Sequence, residues 1–204
     1  MTNLLNFYDA RVQKSFDMIA VYIEKFNRLR DMNLCLVEFG VDWGGSLILW
    51  AEMFPNWKIY GIDLPYIEQF RGDEKKAICE DLASRYPNRF ILNHGSQSDR
   101  EFLERIFGSG FKEKIGIVID DGSHIASDIS QTFEIMYPKL MNGGVYCIED
   151  WTTSHDAPAI AAWAYSLIEG IAGRGERKDV TNQIYKMEIL YQQIFIRKGT
   201  RARI

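Results

Sequence analysis

From Leu34 onward the chain alternates strand-like and helix-like stretches almost without interruption, and that rhythm leaves few folds open. Strands are expected at Leu34–Phe39, Lys58–Asp63, Arg89–His94, Ile115–Asp120 and Val145–Glu149. Between and after them, helices are expected at Ser46–Met53, Glu74–Ser84, Asp99–Phe107, Ala126–Lys139 and Ala159–Ile171. Such alternation specifies right-handed βαβ crossovers and a parallel sheet covered by helices on both faces. The rhythm breaks at the end, where the run from Ile184 to Tyr191 and the run from Ile194 to Arg197 are separated only by Gln192 and Gln193, which predicts an antiparallel hairpin. The expected fold is α/β: a doubly wound, mostly parallel seven-stranded sheet with an antiparallel C-terminal hairpin strand.

Ahead of the first strand, Val12, Phe16, Ile19, Ala20, Ile23, Phe26 and Leu29 recur at helical spacing. The expected organisation is therefore an N-terminal helical extension over 1–33 and one α/β domain over 34–204. Phe16 and Ile23 are expected as exposed apolar positions on that first helix, which makes a homo-oligomer plausible. Arg71-Gly72-Asp73 and the glycine-rich stretch 170–175 read as surface loops, and Asn142-Gly143-Gly144 as a tight entry to the fifth strand.

Charge and cysteine usage exclude several classes. A net charge of −4 argues against a nucleic-acid footprint, and the short basic end formed by Arg197, Lys198, Arg201 and Arg203 reads as a solvated tail. Cys35, Cys79 and Cys147 lack metal-ligand spacing and read as reduced core residues. No run approaches the roughly 18 apolar residues of a membrane span, and no secretory leader pattern is present. A cytoplasmic location is expected by default.

Two apolar runs each end in adjacent carboxylates: Val118-Ile119-Asp120-Asp121-Gly122-Ser123-His124 and Tyr146-Cys147-Ile148-Glu149-Asp150-Trp151. Two such strands deliver Asp120, Asp121, Glu149 and Asp150 to one edge of a sheet, where they repel one another unless a hard cation lies between them. Magnesium, which takes oxygen ligands and keeps water positions open, is the natural occupant. His124 supplies a candidate base. Asp120 is expected behind the cation, capping a helix, contacting a cofactor or orienting a ligand.

The other strand ends suggest what binds beside that site. Gly40 and Gly44 follow the first strand and allow backbone to approach a ligand, with Ser46 opening the next helix and Glu38 on the strand itself. The dinucleotide pattern of three glycines is broken by Asp42, an acid unhelpful beside a pyrophosphate and tolerable beside a sulfonium. Asp63, ending the second strand, suits ribose hydroxyls, and Ser96 and Gln97 after the third strand suit an adenine edge. Glycine loop, acid, polar loop and acidic strand end together favour S-adenosylmethionine over a nicotinamide nucleotide, in the layout of the class I methyltransferases.

The blocks Val37-Glu38-Phe39-Gly40, Gly61-Ile62-Asp63, Gly95-Ser96-Gln97-Ser98-Asp99, Asp120-Asp121-Gly122-Ser123-His124 and Gly143-Gly144-Val145-Tyr146-Cys147-Ile148-Glu149-Asp150 resemble the macrocin and mycinamicin sugar O-methyltransferases, with the cephalosporin-hydroxylase-like proteins as further relatives. The likeness runs over roughly residues 34–198. It implies a magnesium-dependent methyl transfer from S-adenosylmethionine to a hydroxyl of a sugar attached to a larger molecule, so that the partner is a small-molecule or glycosylated acceptor. By position it implies Asp121, Glu149 and Asp150 as metal ligands and His124 as general base. Cofactor contacts are expected from Glu38, Gly40, Gly44, Ser46, Asp63, Ser96, Gln97 and Asp120, and acceptor contacts from Trp151 and His155 in the loop after the fifth strand. Three alternatives remain open at the level of sequence: a nicotinamide-type oxidoreductase, a non-catalytic binding subunit, and a catechol-type O-methyltransferase.

Overall fold

The computed structural model describes residues 14–69, 71–174 and 178–199. Seven strands follow the order β3-β2-β1-β4-β5-β7-β6, a mostly parallel Rossmann-like arrangement with an antiparallel C-terminal pair. The chain divides into two compact units, Met1–Ser96 and Gln97–Ile204.

In the first unit, β1 (Cys35–Phe39), β2 (Lys58–Asp63) and β3 (Phe90–His94) pair in parallel, with Glu38 opposite Gly61 and Asp63 opposite His94. All five residues of β1 are buried, as expected of a parallel strand covered on both faces. Helix α1 (Phe16–Phe26) starts where the Ser15 hydroxyl accepts the Met18 amide at 3.2 Å, and it buries Ile19, Tyr22 and Phe26. Val12 lies outside the described residues. Phe16 is exposed as expected, whereas Ile23 is half-buried. Helix α2 (Gly45–Met53) buries seven of its nine residues, so its sequence is apolar on every side. Helix α3 (Gly72–Arg85) begins earlier than the sequence suggested: Arg71 precedes it as the N-cap, and Gly72 and Asp73 open its first turn and are not a loop. Asp73 and Glu74 there complement the helix N-terminus, a preference that turn-forming residues share.

In the second unit, α4 (Arg100–Phe107) is capped by Asp99, whose side chain accepts the Phe102 amide at 3.0 Å. Strands β4 (Ile115–Asp120) and β5 (Leu140–Glu149) pair in parallel, with Asp120 opposite Ile148. Strand β5 begins at Leu140, so Asn142-Gly143-Gly144 lies inside it and not ahead of it; the register shift between Ile115 and Ile117 accommodates the glycines. Helix α5 (Ala126–Met136) stops short of Lys139 and tightens into a 3₁₀ turn over Tyr137–Lys139, because Pro138 has no amide to continue it. Helix α6 (Ala157–Ile171) packs Trp163 edge-on against Phe133 at 5.3 Å, and Phe133 stacks on Tyr137 at 4.5 Å. A four-residue helix α7 (Lys178–Thr181), too short to leave a periodic signal, precedes the expected hairpin of β6 (Ile184–Ile189) and β7 (Gln193–Lys198). The hairpin folds so that β7 lies between β5 and β6. Lys198 is not part of a solvated tail: it is buried and donates to the Pro138 carbonyl at 2.6 Å, while Arg201 and Arg203 lie outside the described residues. All three cysteines are buried free thiols. Among the described residues, no helix is long and apolar enough to cross a membrane.

Candidate active site

In the second unit, the strand ends of β4 and β5 bring three ligand-bearing side chains together. Asp121, His124 and Asp150 each present an atom such that all three lie within 4.8 Å of one another. His124 Nε2 stands 3.8 Å from Asp121 Oδ1. All three side chains are half-buried, open enough to admit a ligand. His124 and Asp150 both adopt left-handed backbone, at φ 53° and 50°. Aspartate and histidine adopt that conformation more readily than most residues other than glycine, and here it turns the chain sharply at both strand-end loops.

The four adjacent acids are split. Side chains alternate along a strand, so neighbouring residues at a strand end face opposite ways. Asp121 and Asp150 turn to the cluster, whereas Asp120 and Glu149 are buried at 1% exposure each and lie outside the group of three. Asp120 is held from two directions, by the Tyr146 hydroxyl at 2.5 Å and Gln97 Nε2 at 3.0 Å. Gln97 also donates to the Thr132 hydroxyl at 3.3 Å and accepts the Ser123 amide at 2.7 Å. Asp120 and Gln97, expected at a cofactor, thus spend their polar atoms on a network that fixes the Asp121–His124 loop from beneath. Burial pushes the Asp120 carboxyl up to about 6, opposed by the hydrogen bonds from Tyr146 and Gln97. Burial, reinforced by the adjacent Asp120, pushes the Tyr146 phenol well above its ordinary value. Gly122 leaves room for this network, since a Cβ there would displace the Gln97 side-chain amide.

The loop after β5 also faces this cluster's backbone. Ser154 donates to the His124 carbonyl at 2.6 Å, and Asp156 Oδ2 accepts the Ala126 amide at 2.7 Å. The Trp151 indole donates to the Leu190 carbonyl at 2.9 Å with its ring half-buried, and His155 is exposed.

The first unit carries the remaining expected contacts. Asp63 Oδ2 accepts the amides of Val41 and Asp42 at 2.9 and 2.8 Å, so the acid at the end of β2 gathers the glycine loop onto itself. Gly40 and Gly44 have φ of 83° and 74°, which lets the loop turn sharply into α2. Both Glu38 oxygens are taken by protein donors, Ser46 Oγ at 2.8 Å and Trp50 Nε1 at 2.9 Å. Glu38 and Ser46 therefore tie α2 to β1. An open cleft with about 200 Å³ of empty space is lined by Val41, Asp42, Asp63, Tyr66, Asn93 and His94 among others. Tyr66 stacks obliquely on His94 at 4.5 Å, and Ser96 is half-buried after β3. Asp42 is ion-paired with Lys75, whose ammonium also stands 5.5 Å from the Trp43 ring. That pairing removes the argument against a phosphate ligand drawn from the charge of Asp42 alone.

Tyr146, Thr132, Ser123, Ser154 and Lys75 were not singled out by sequence. The one available signal was Tyr146 within the apolar β5, because a buried phenol needs a partner.

Fold and strand-end chemistry together define the class as a Rossmann-like methyltransferase. Within that class the chain is homologous to the macrocin/mycinamicin-type sugar O-methyltransferases. It is 32% identical over 178 residues to the 8-demethyl-8-(2-methoxy-alpha-L-rhamnosyl)-tetracenomycin-C 3'-O-methyltransferase of Streptomyces olivaceus, covering 82% of this chain and 40% of that protein. It is 33% identical over 144 residues to the mycinamicin VI 2''-O-methyltransferase of Micromonospora griseorubida, covering 66% of this chain and 31% of that protein. Among solved structures, MycE methyltransferase from the mycinamycin biosynthetic pathway, in complex with Mg, SAH and mycinamycin VI, superposes with a TM-score of 0.69 at 28% identity, over 89% of this chain and 49% of that one. The chain thus spans less than half the length of these relatives. No family model matches it.

Proposed function

We propose that the chain is an S-adenosylmethionine-dependent, magnesium-dependent O-methyltransferase acting on a hydroxyl of a sugar or glycosylated natural product. The observation that carries this reading is the convergence of Asp121, His124 and Asp150 in a chain about a third identical to sugar O-methyltransferases. Oxygen ligands around half-buried acids suit a hard divalent ion, and an adjacent imidazole suits proton transfer.

Asp121 and Asp150 would hold the ion, with Glu149 assigned as the third acid by position in the family pattern. When bound, magnesium would make the acceptor hydroxyl easier to deprotonate and S-adenosylmethionine would supply an activated methyl group. His124 Nε2 would take the proton of the acceptor hydroxyl as that oxygen is methylated. The glycine loop with Gly40 and Gly44, Asp63 at the ribose hydroxyls, and Ser96 receive the nucleoside. Glu38 and Ser46 act behind these contacts by tying α2 to β1, and Gln97 and Asp120 act behind the cation cluster by holding the Asp121–His124 loop. Trp151 offers an aromatic face to the apolar side of a sugar ring, and His155 borders the same loop. Because in-line displacement demands collinear oxygen, carbon and sulfur, holding the reactants in line supplies much of the rate.

Calorimetric titration with S-adenosylhomocysteine and, separately, with magnesium tests the reading. The wild type binds both. Asp121→Asn loses magnesium and keeps the nucleoside, and His124→Gln keeps both while methyl transfer to a glycosylated acceptor falls about 10²–10⁴-fold. A wild-type chain that ignores S-adenosylhomocysteine but binds a nicotinamide nucleotide refutes it.

A further inference from the structure

The two halves of the candidate cation cluster come from different loops, and something must set their spacing. Asp121 and His124 lie between β4 and α5; Asp150 lies between β5 and α6. Helix α5 starts at Ala126, and Ile125 before it has no side-chain acceptor to offer the first turn. The missing acceptor comes from 30 residues away, where Asp156 Oδ2 takes the Ala126 amide at 2.7 Å. Asp156 is itself the residue preceding α6, so one carboxylate stands at the start of both helices. Ser154 completes the connection. Its hydroxyl donates to the His124 carbonyl at 2.6 Å and accepts the Asp156 amide at 2.9 Å. On its other side the Ser154 amide donates to the Asp150 carbonyl at 3.2 Å, which the Thr153 hydroxyl also approaches at 3.0 Å. A continuous chain of hydrogen bonds therefore runs from Asp150 through Ser154 to His124, with Asp156 locking the next peptide, and it joins two residues held at φ of 50° and 53°.

We infer that Ser154 and Asp156 form a clip that fixes Asp150 relative to Asp121 and His124, so that the cation site is shaped before any ligand arrives. Neither residue needs to touch the ion, the donor or the acceptor; they are positioning residues for the group that does. The inference rests on the cation-site reading above and adds to it the origin of its geometry. Outer partners that orient first ligands typically carry about 10–100-fold in metal affinity.

The test titrates acceptor-free protein with Mn2+, followed by calorimetry and by the loss of free-ion resonance signal, in wild type, Ser154→Ala, Asp156→Ala, and the conservative variants Ser154→Thr and Asp156→Asn. Hydrogen exchange at the Ala126 amide and affinity for S-adenosylhomocysteine are measured in parallel. The expected result is affinity for Mn2+ weakened about tenfold or more by each alanine. Exchange at Ala126 is faster in both alanine variants, both properties are restored by threonine and asparagine, and nucleoside affinity is unchanged. Wild-type Mn2+ affinity in both alanine variants overturns the clip, as does a loss accompanied by equal loss of nucleoside binding, which marks general unfolding. Should the wild type bind no Mn2+, the cation reading fails, and exchange at Ala126 then decides the clip: faster in Ser154→Ala upholds it, unchanged overturns it.

Discussion

Asp120 shows how one residue can lie beside a reactive cluster and serve it without facing it. Its carboxyl is buried, and burial raises its affinity for a proton to about 6 from an ordinary 3.8. The sign follows directly. Below the unfolded value both states are protonated, and the folded state suffers no penalty. As pH rises the unfolded chain ionises first, so stability contributed by the neutral acid is lost progressively until pH passes the folded value, a cost of about 3 kcal/mol. Asp120→Asn removes the titration, and asparagine retains one acceptor and one donor for Gln97 and Tyr146. Urea unfolding of chelator-treated protein from pH 4 to 7 is expected to show the variant gaining stability relative to wild type across that window. Parallel curves for the two proteins contradict a buried, proton-hungry Asp120.

Helix α2 illustrates how an element is held at both ends by side chains from outside it. The helix begins at the glycine loop and is anchored there by Ser46 and Trp50 on Glu38. Its last turn contains no basic residue of its own. Arg89, ahead of β3, substitutes by donating to the carbonyls of Ala51 at 3.1 Å, Phe54 at 2.6 Å and Trp57 at 3.0 Å. A cation at a helix C-terminus also favours the helix dipole. Arg89→Met leaves three carbonyls without this donor and is expected to lower stability by about 2–3 kcal/mol, read as a lower urea midpoint at unchanged slope. A midpoint within error of wild type removes Arg89 from this role. The element itself was legible, because a mostly apolar run broken only by Ser46 and Glu52 after a glycine turn reads as a buried helix or strand. Arg89 was not legible, since it acts 32 to 38 residues away in sequence and reads as the polar start of a strand.

For the whole molecule, the proposed nucleoside contacts lie in the first compact unit and the candidate cation cluster in the second, so each ligand tests a different part of the chain. S-adenosylhomocysteine at about 100 times its dissociation constant stabilises the folded chain by roughly 2.7 kcal/mol. For a chain of 204 residues that corresponds to a rise in Tm of about 5–10 °C. Scanning calorimetry with and without the nucleoside measures it, and an unshifted transition at saturating nucleoside contradicts the donor assignment.

The order of apolar runs, the breaks between them and the acids ending β4 and β5 are local properties, and they determined by themselves the strand–helix alternation, the hairpin and the strand-end position of the candidate residues. Local pattern carries these because burying an apolar face and ending a strand are decisions made over a few residues. Which of two adjacent acids turns to the cluster, the pairing of Asp42 with Lys75, the network of Gln97, Asp120 and Tyr146, and the clip of Ser154 and Asp156 were decided only by tertiary structure. Each joins residues 23 to 33 positions apart. A hydrogen bond across such a distance leaves no periodicity in the chain; it exists only once packing has set two strand ends side by side.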